Sequence, residues 1–577
     1  MGHAARSRGQ APLVSVADGL SGTAAGRSSV YIANARLVRP DAGNEPRAGG
    51  VLVEGNSIAA VALTDREQRD TRARAGEVID AAGMILMPGL VNAHYHSYGT
   101  LLKGTENSLP LEPWALYTVA YGRALGAEAI RLAVLLGAAE MIRNGITACL
   151  DHFPHTRFAE AALAAHAASG MRVAFAPFMH DVFDHEFLQL ALPPEIRAAL
   201  DTAPRSEPAA AEEMYRDLAS QWRGHRRVTI LLGPNAFQRC SSGLIDVWRR
   251  PAAEPGLHAH THLVETRAQA VRGAAVWPGG TVAEMARAGV LSERLSVAHG
   301  VWLAPEEADL LARHGVTVVH NPASNLMLGS GRLSLPMMLE RGVPLALGTD
   351  SSNSGGRHDL FEIMRLALML PRPDTPDPRA WPAPRRILEM ATSGGARAIG
   401  QAGAVGRIEP GQRADLVLLD PRTAALAGSP VTVPHLVQHG GAAAVAAVMI
   451  DGVWVLRDGR ILAFDEPAVL ARGRRDLDRG SCRGRAGARA GGDRGALLPG
   501  VQLAAGPGRV CGMISARRRA PQTSRRVRCP CGPIASSRPS IFTLPESGCV
   551  CSPAASGGSR APRSARSVAS SRSTTTI

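Results

Sequence analysis

The sequence predicts an α/β protein: a (β/α)8, TIM-like barrel with a small β-sandwich built from both ends of the catalytic body, followed by a disordered basic tail. Three observations predict it. Strand-like and helix-like runs alternate through residues 87–402, short β segments rich in Gly and Asn/Asp turns flank that stretch on both sides, and the composition changes abruptly near residue 467.

Residues 1–28 are rich in Gly, Ala and Ser and read as disordered. From Val30 short β segments follow at Val30–Ala33, Gly50–Gly55, Ser57–Val61 and Glu77–Asp80, giving the first part of the sandwich over 29–86. Its second part, over 403–466, carries Ala414–Asp420, Val445–Asp451 and Val453–Leu456. Between them, apolar runs predict strands at Leu90–Ala93, Thr147–Leu150, Arg172–Ala176, Val228–Leu232, Leu257–His262, Leu295–His299, Val316–Val319 and Pro344–Leu347. Helical periodicity marks Ala127–Asn144, Phe158–Ser169, Ala210–Trp222, Val282–Ala288, Pro305–His314 and Leu360–Leu370. Eight strands with helices between them at this length form a barrel, whose catalytic groups belong where the strands end.

At 577 residues the chain can bury one large domain and a smaller one. Its 45% hydrophobic content and near-zero mean hydropathy are those of an ordinary globular protein. No apolar run reaches the roughly 18 residues of a membrane helix. Met1–Ser29 lacks the continuous apolar core of a signal peptide, so the cytoplasm is the expected compartment. The net charge of +14 belongs to the tail: from Arg472 onward 20 Arg face four acidic residues, which leaves the first 471 residues at −2. Six of the eight Cys also lie there, so Cys149 and Cys240 of the body make no disulfide framework.

The chemistry gathers at strand ends. Met87-Pro-Gly-Leu-Val-Asn-Ala-His-Tyr-His96 closes the first barrel strand with His94 and His96, and side chains two apart on a strand share a side, an arrangement suited to a borderline-soft cation. Leu257-His-Ala-His-Thr-His262 brings His258, His260 and His262 to one side, with Glu265 in the following turn where a carboxylate reaches a metal-held water. His299 ends the sixth strand and Asp350 the eighth. An Asp there also reads as an N-cap for the helix near Leu360, although Ser351–Asp359 intervene.

The joint pattern resembles the amidohydrolase superfamily, in its cytosine deaminase-, triazine hydrolase- and adenosylhomocysteine deaminase-like branch. The likeness spans roughly 30 to 465 and is carried by Pro-Gly-Leu-Val-Asn-Ala-His-Tyr-His, His-Thr-His-Leu-Val-Glu, Ala-His-Gly, Asn-Pro-Ala-Ser-Asn, Gly-Thr-Asp and, near the end, Gly406-Arg-Ile-Glu-Pro-Gly-Gln-Arg-Ala-Asp-Leu-Val. It implies His94, His96, His262 and Asp350 as ligands of one divalent ion, Zn²⁺ or else Fe²⁺, with Glu265 shuttling protons, His299 polarising the substrate and Asp350 also accepting a proton. Binuclear relatives bridge two metals with a carbamylated Lys; the single Lys here, Lys103, follows the first strand and not the fourth, which favours one metal. The implied reaction is removal of ammonia from an amino-substituted purine, pyrimidine, pterin or triazine-like ring. The alternatives are a chlorohydrolase or related hydrolase of a triazine-like ring, and a non-catalytic relative. Glu265 and His299 together favour deamination, because ammonia leaves with a proton and chloride does not.

Around the site, Tyr98–Ala120 reads as a long loop, in which Trp114 either walls the substrate or pins the loop to the barrel. Asn235 and Gln238, after the fourth strand, are candidate readers of ring edges, and His320 a candidate support for a ligand. Asn325 reads as tying its own loop. Asp151-His152-Phe-Pro-His155 offers two histidines without a bridging Lys, which favours hydrogen-bonded surface or pocket histidines over a second metal pair. The partner expected is a small heterocyclic substrate, with no membrane and no specific nucleic acid; the resemblance adds a homo-oligomer as an open alternative to a monomer. The tail's Arg runs and Cys-x-Cys pairs lack zinc-knuckle spacing and match a GC-rich gene read out of frame better than a nucleic-acid binder.

Overall fold

In the computed structural model the described residues are 29–39, 43–105, 108–201, 203–250 and 256–474. The N-terminal 1–28 and the tail from 475, with its Cys-x-Cys pairs, lie outside them, as do Glu106 and Asn107.

Eight strands carry the middle of the chain: β1 Leu90–Tyr95, β2 Ile146–Phe153, β3 Arg172–Met179, β4 Val228–Ile230 continued at Gly233–Pro234, β5 Ala259–Leu263, β6 Leu295–His299, β7 Thr317–His320 and β8 Leu345–Leu347. Parallel pairing runs from β1 through β2 and β3 to β4, and separately from β5 through β6 and β7 to β8. Two seams join the halves. At the first, Leu232 N–H donates to His258 O, His260 N–H to Leu232 O, and His262 N–H to Asn235 O, at 2.9, 2.9 and 3.1 Å. At the second, Asp350 N–H donates to His94 O at 3.0 Å and Thr349 N–H to the Asn92 side-chain oxygen at 3.0 Å. The ring of strands is therefore closed, and each expected strand has its counterpart within it.

Gly348 permits the second seam. A Cβ there would lie 2.3 Å from Asn321 Oδ1 and 2.9 Å from His94 Cβ, so any side chain would push β8 off β1. Inside the ring, small and branched residues (Val91, Ala93, Ala148, Leu150, Ala174, Ala176) form one packed layer. The pairing of β1 with β2 slips between Asn92 and Tyr95. Tyr95 consequently joins the apolar cluster shared with the surrounding helices, while His94 and His96 keep the mouth.

Helices lie between the strands, among them Ala127–Arg143, Ala159–Ser169, Pro208–Gln221, Gly280–Arg287, Pro305–Arg313 and Leu360–Met369. Several described helices lie outside those expected, among them Asp65–Arg74 and Leu111–Arg123. Asp65–Arg74 has no apolar stripe and is held at its start by the reciprocal bonds of Thr64 and Glu67. Leu111–Arg123 takes the place of the extended loop expected after β1.

Both ends of the body build one hydrogen-bonded outer sheet. Its nine strands are Ser29–Leu37, Arg47–Glu54, Ser57–Ala62, Glu77–Asp80, Ile85–Pro88, Leu416–Leu419, Val445–Ile450, Val453–Arg457 and Arg460–Ile461. The reason is Ile85–Pro88, which pairs with Ser29–Leu37 on one side and with Leu416–Leu419 on the other, joining the two contributions edge to edge. Alternation divides its faces: Leu86, Leu416, Leu418 and Met449 pack with Ile32, Leu37 and Val51, whereas Ile85, Met87, Val417, Leu419 and Ile450 join the core shared with the barrel. Arg172 of β3 clamps the same junction. Almost fully buried, it donates to both oxygens of Asp415, at 2.8 and 2.9 Å, and to Asp451 at 3.1 Å. The folded body also runs past the expected boundary at 466, because residues 466–474 are helical and Val469 is buried in the main core.

Candidate active site and metal centre

At the C-terminal mouth of the ring, four side chains from three strands converge. The ligand atoms of His94, His96 and Asp350 all lie within 4.8 Å of one another, with Asp350 Oδ1 at 3.5 Å from His94 Nε2 and 3.4 Å from His96 Nε2. His262 completes the set, its Nε2 standing 3.3 Å from His96 Nε2. The structure thus brings together the four side chains that the resemblance implies as ligands.

Each imidazole is oriented through its other nitrogen. His94 Nδ1 lies 2.8 Å from His260 Nε2, and His260 Nδ1 lies 2.7 Å from Ser296 Oγ. His262 Nδ1 is 2.7 Å from the Asn235 carbonyl, and His96 Nδ1 meets the carbonyl of His152. Three Nε2 lone pairs are thereby turned toward one point, the support that metal-binding histidines require. Asp350 is fixed by the Ser351 N–H at 2.7 Å on Oδ1 and by the Ser324 hydroxyl on Oδ2. Its backbone is left-handed, φ +59°, as is that of His299, φ +75°, a costly conformation held at two strand ends in one site. Asp350 caps no helix: Asp359 does that, accepting from Phe361 and Glu362 N–H.

The donor set fits a divalent ion. Buried His94 Nε2 has no hydrogen-bond partner among the described residues. Burial lowers His94 to about 4, against the pull of Asp350, and pushes His262 well below the usual histidine range. Both rings are thus neutral and able to give a lone pair. Asp350 lies well below the usual carboxylate range: burial alone would raise it, and the close approach of His94, then His96 and His299, outweighs that. Three imidazoles and a carboxylate suit Zn²⁺. Lys103 takes no part, its ammonium standing 2.6 Å from Glu140 Oε2.

Beside the cluster lie Glu265 and His299, with Glu265 Oε2 3.5 Å from His299 Nε2. Glu265 is 4% exposed, and that burial raises it to about 7, opposed by His299. Its Oε1 accepts from Ser330 at 3.2 Å, and His299 Nδ1 is held 2.9 Å from Asn325 Oδ1. Asn325 therefore orients a site histidine instead of merely tying its loop.

The other expected residues fall into two groups. Trp114 sits buried on Leu111–Arg123, a helix fastened near both sides of the mouth: Thr266, next to Glu265, donates to Glu112 at 2.6 Å, and Asn353, three residues past Asp350, donates to Thr118 at 3.2 Å. Gln238 is buried on Phe237–Arg239. Asn235 serves His262 through its backbone, while its side-chain oxygen accepts from Arg239 at 2.9 Å. His258 packs against Gly400 and His320 is buried, its Nδ1 without a partner among the described residues. The sequence understated His152. Fully buried, it stacks on His96 and forms a second close trio with His94 and His262, which places it inside the site. His155 lies against Tyr98, 4.7 Å between ring centres.

Residues 85–455 match the sequence profile of the Amidohydrolase family. The chain belongs to that family. The 5'-deoxyadenosine deaminase of Methanosarcina mazei is 31% identical over 446 residues, 77% of this chain and 96% of that protein. A 5-methylthioadenosine/S-adenosylhomocysteine deaminase of Syntrophobacter fumaroxidans is 33% identical over 74% of this chain and 92% of its own. Among solved structures, an adenosine deaminase from Xanthomonas campestris with bound zinc superimposes with a TM-score of 0.69 at 27% identity, covering 78% of this chain and 98% of that one. Atrazine chlorohydrolase from Arthrobacter aurescens with zinc gives the same TM-score at 23% identity, a likeness of fold. This family member is a hydrolase of carbon–nitrogen bonds other than peptides, a metal-dependent deaminase of cyclic amidines. Among the described residues no helix is long and apolar enough to cross a membrane.

Proposed function

We propose that the chain removes ammonia from the 6-amino position of an adenine-bearing small molecule, of the 5'-deoxyadenosine or methylthioadenosine kind, using one Zn²⁺ held by His94, His96, His262 and Asp350. The same reading takes the ring of strands as a (β/α)8 barrel and the outer sheet as the family's sandwich domain. The observation that carries it is the Glu265–His299 pair beside the four ligands: a carboxyl raised to about 7 keeps a proton available at neutral pH.

A zinc ion in such a site lowers the pKa of a water to about 7 and so supplies hydroxide at neutral pH. Asp350, ionised and pinned by Ser351 and Ser324, accepts the proton that the water gives up. Glu265 delivers a proton to the ring nitrogen beside the carbon under attack. His299, held by Asn325 through Nδ1, turns Nε2 toward the substrate. Trp114 and the rest of Leu111–Arg123 cover the ring and exclude bulk water. The proton taken by Asp350 passes to the amino group, which departs as ammonia; deamination is preferred over chloride release because the relatives 31% and 33% identical are deaminases.

The test is ammonia release by the zinc-loaded protein from 5'-deoxyadenosine, methylthioadenosine, S-adenosylhomocysteine, adenosine, guanine, cytosine and aminotriazines, with chloride followed in parallel for chlorotriazines. Adenine-bearing compounds should turn over best. Chloride release without ammonia release would overturn the proposal.

A further inference from the structure

Behind Asp350 lies a buried histidine for which the chemistry above has no use. His358 is fully buried, and its ring bridges the turn that carries Asp350: Nδ1 is 2.8 Å from Thr349 Oγ1 and Nε2 is 2.8 Å from Ser352 Oγ. Those hydroxyls stand one residue before Asp350 and two after it. Burial brings His358 down to about 4 despite the Glu140 charge nearby, so the ring is neutral, one nitrogen donating and the other accepting. The turn needs such a clasp because Asp350 is a non-glycine residue at φ +59°, a conformation that persists only where the surroundings over-determine it.

The clasp is itself anchored on both sides. Thr349 is bound to Asn92 of β1 through both its hydroxyl, at 2.8 Å, and its N–H, at 3.0 Å. His358 N–H donates to Glu140 Oε1 at 3.3 Å, and the other oxygen of Glu140 meets the ammonium of Lys103. A continuous chain of polar contacts thus runs from a surface ion pair, through His358, to the residues flanking Asp350.

We propose that His358 is a positioning residue for Asp350: by clasping Thr349 and Ser352 it holds the left-handed turn and thereby sets the affinity of the site for its divalent ion. This rests on the metal-site reading above. The experiment measures the zinc dissociation constant of the full chain by competition with a chromogenic chelator, alongside circular dichroism and thermal unfolding, for wild type, His358→Leu and His358→Gln. His358→Leu should bind zinc roughly 10–100-fold more weakly, the usual loss when the support of a ligand is removed. His358→Gln, which can still donate and accept, should recover most of that affinity. Wild-type affinity in His358→Leu, or an equal loss in both variants, overturns the proposal, since equal loss is what filling space alone would give. Should His358→Leu not fold, Thr349→Val and Ser352→Ala remove the two hydroxyls singly and leave the ring; each should weaken zinc binding, and unchanged affinity in both overturns the proposal. Failure of the wild-type chain to bind zinc would instead refute the four-ligand site, and the clasp with it.

Discussion

Replacing Glu265 with Gln separates its chemistry from its packing. The two side chains have nearly the same size, and an amide can still accept from the Ser330 hydroxyl that stands 3.2 Å from Oε1. It cannot give up a proton to the ring nitrogen. Loss of a positioned acid–base group lowers turnover roughly 10²–10⁴-fold, which is about 2.7–5.4 kcal/mol of barrier at about 1.36 kcal/mol per decade. Folding should be little altered, because the carboxyl it replaces is raised to about 7 and is largely uncharged below that pH. Zinc content should also be unchanged, since Glu265 stands outside the close ligand trio and makes its contacts with His299 and Ser330. The assay is steady-state ammonia release on the best adenine-bearing substrate, with zinc measured on the same preparation. Full zinc together with activity within tenfold of wild type would refute the proton-carrying role.

The same carboxyl sets a pH limb. Its protonated form is the competent acid and is lost as pH rises through about 7, so kcat/KM should fall on the alkaline side of that value, and the limb should vanish from the residual activity of Glu265→Gln. The junction of barrel and outer sheet gives a stability prediction. Arg172→Met strips the cation from buried Asp415, while Asp451 keeps Arg226 at 2.7 Å, and should cost about 3–5 kcal/mol, read as a lowered midpoint in urea unfolding; a change below ~1 kcal/mol would show that the clamp is dispensable.

How much of this was legible follows from what each feature depends on. The strands were readable because a strand buried on both faces is an apolar run, and His94, His96, His262, His299 and Asp350 were readable because each closes such a run. The supports were not. His260 against His94, Ser324 against Asp350, Asn325 against His299 and the carbonyl of Asn235 against His262 are pairings across 26 or more residues of chain, set by which strands become neighbours. His152 was underrated because its neighbours in sequence say nothing of the β1 and β5 histidines that surround it. Leu111–Arg123 was read as a loop because it begins Leu-Glu-Pro-Trp after Pro110, and a proline in the first turn of a helix resembles a break until the helix is seen to continue. The stitching of both ends by Ile85–Pro88 was not legible either, because strand spacing does not reveal which strands become neighbours.

The claim on which the rest depends is that His94, His96, His262 and Asp350 grip one ion. Zinc X-ray absorption on the fully loaded chain, with zinc per chain measured alongside, tests it most directly. One zinc per chain, with about three imidazoles and oxygen completing the shell, is the predicted result, and His262→Ala should lose an imidazole from that shell. Two zinc ions per chain, or a shell unchanged by His262→Ala, would contradict it.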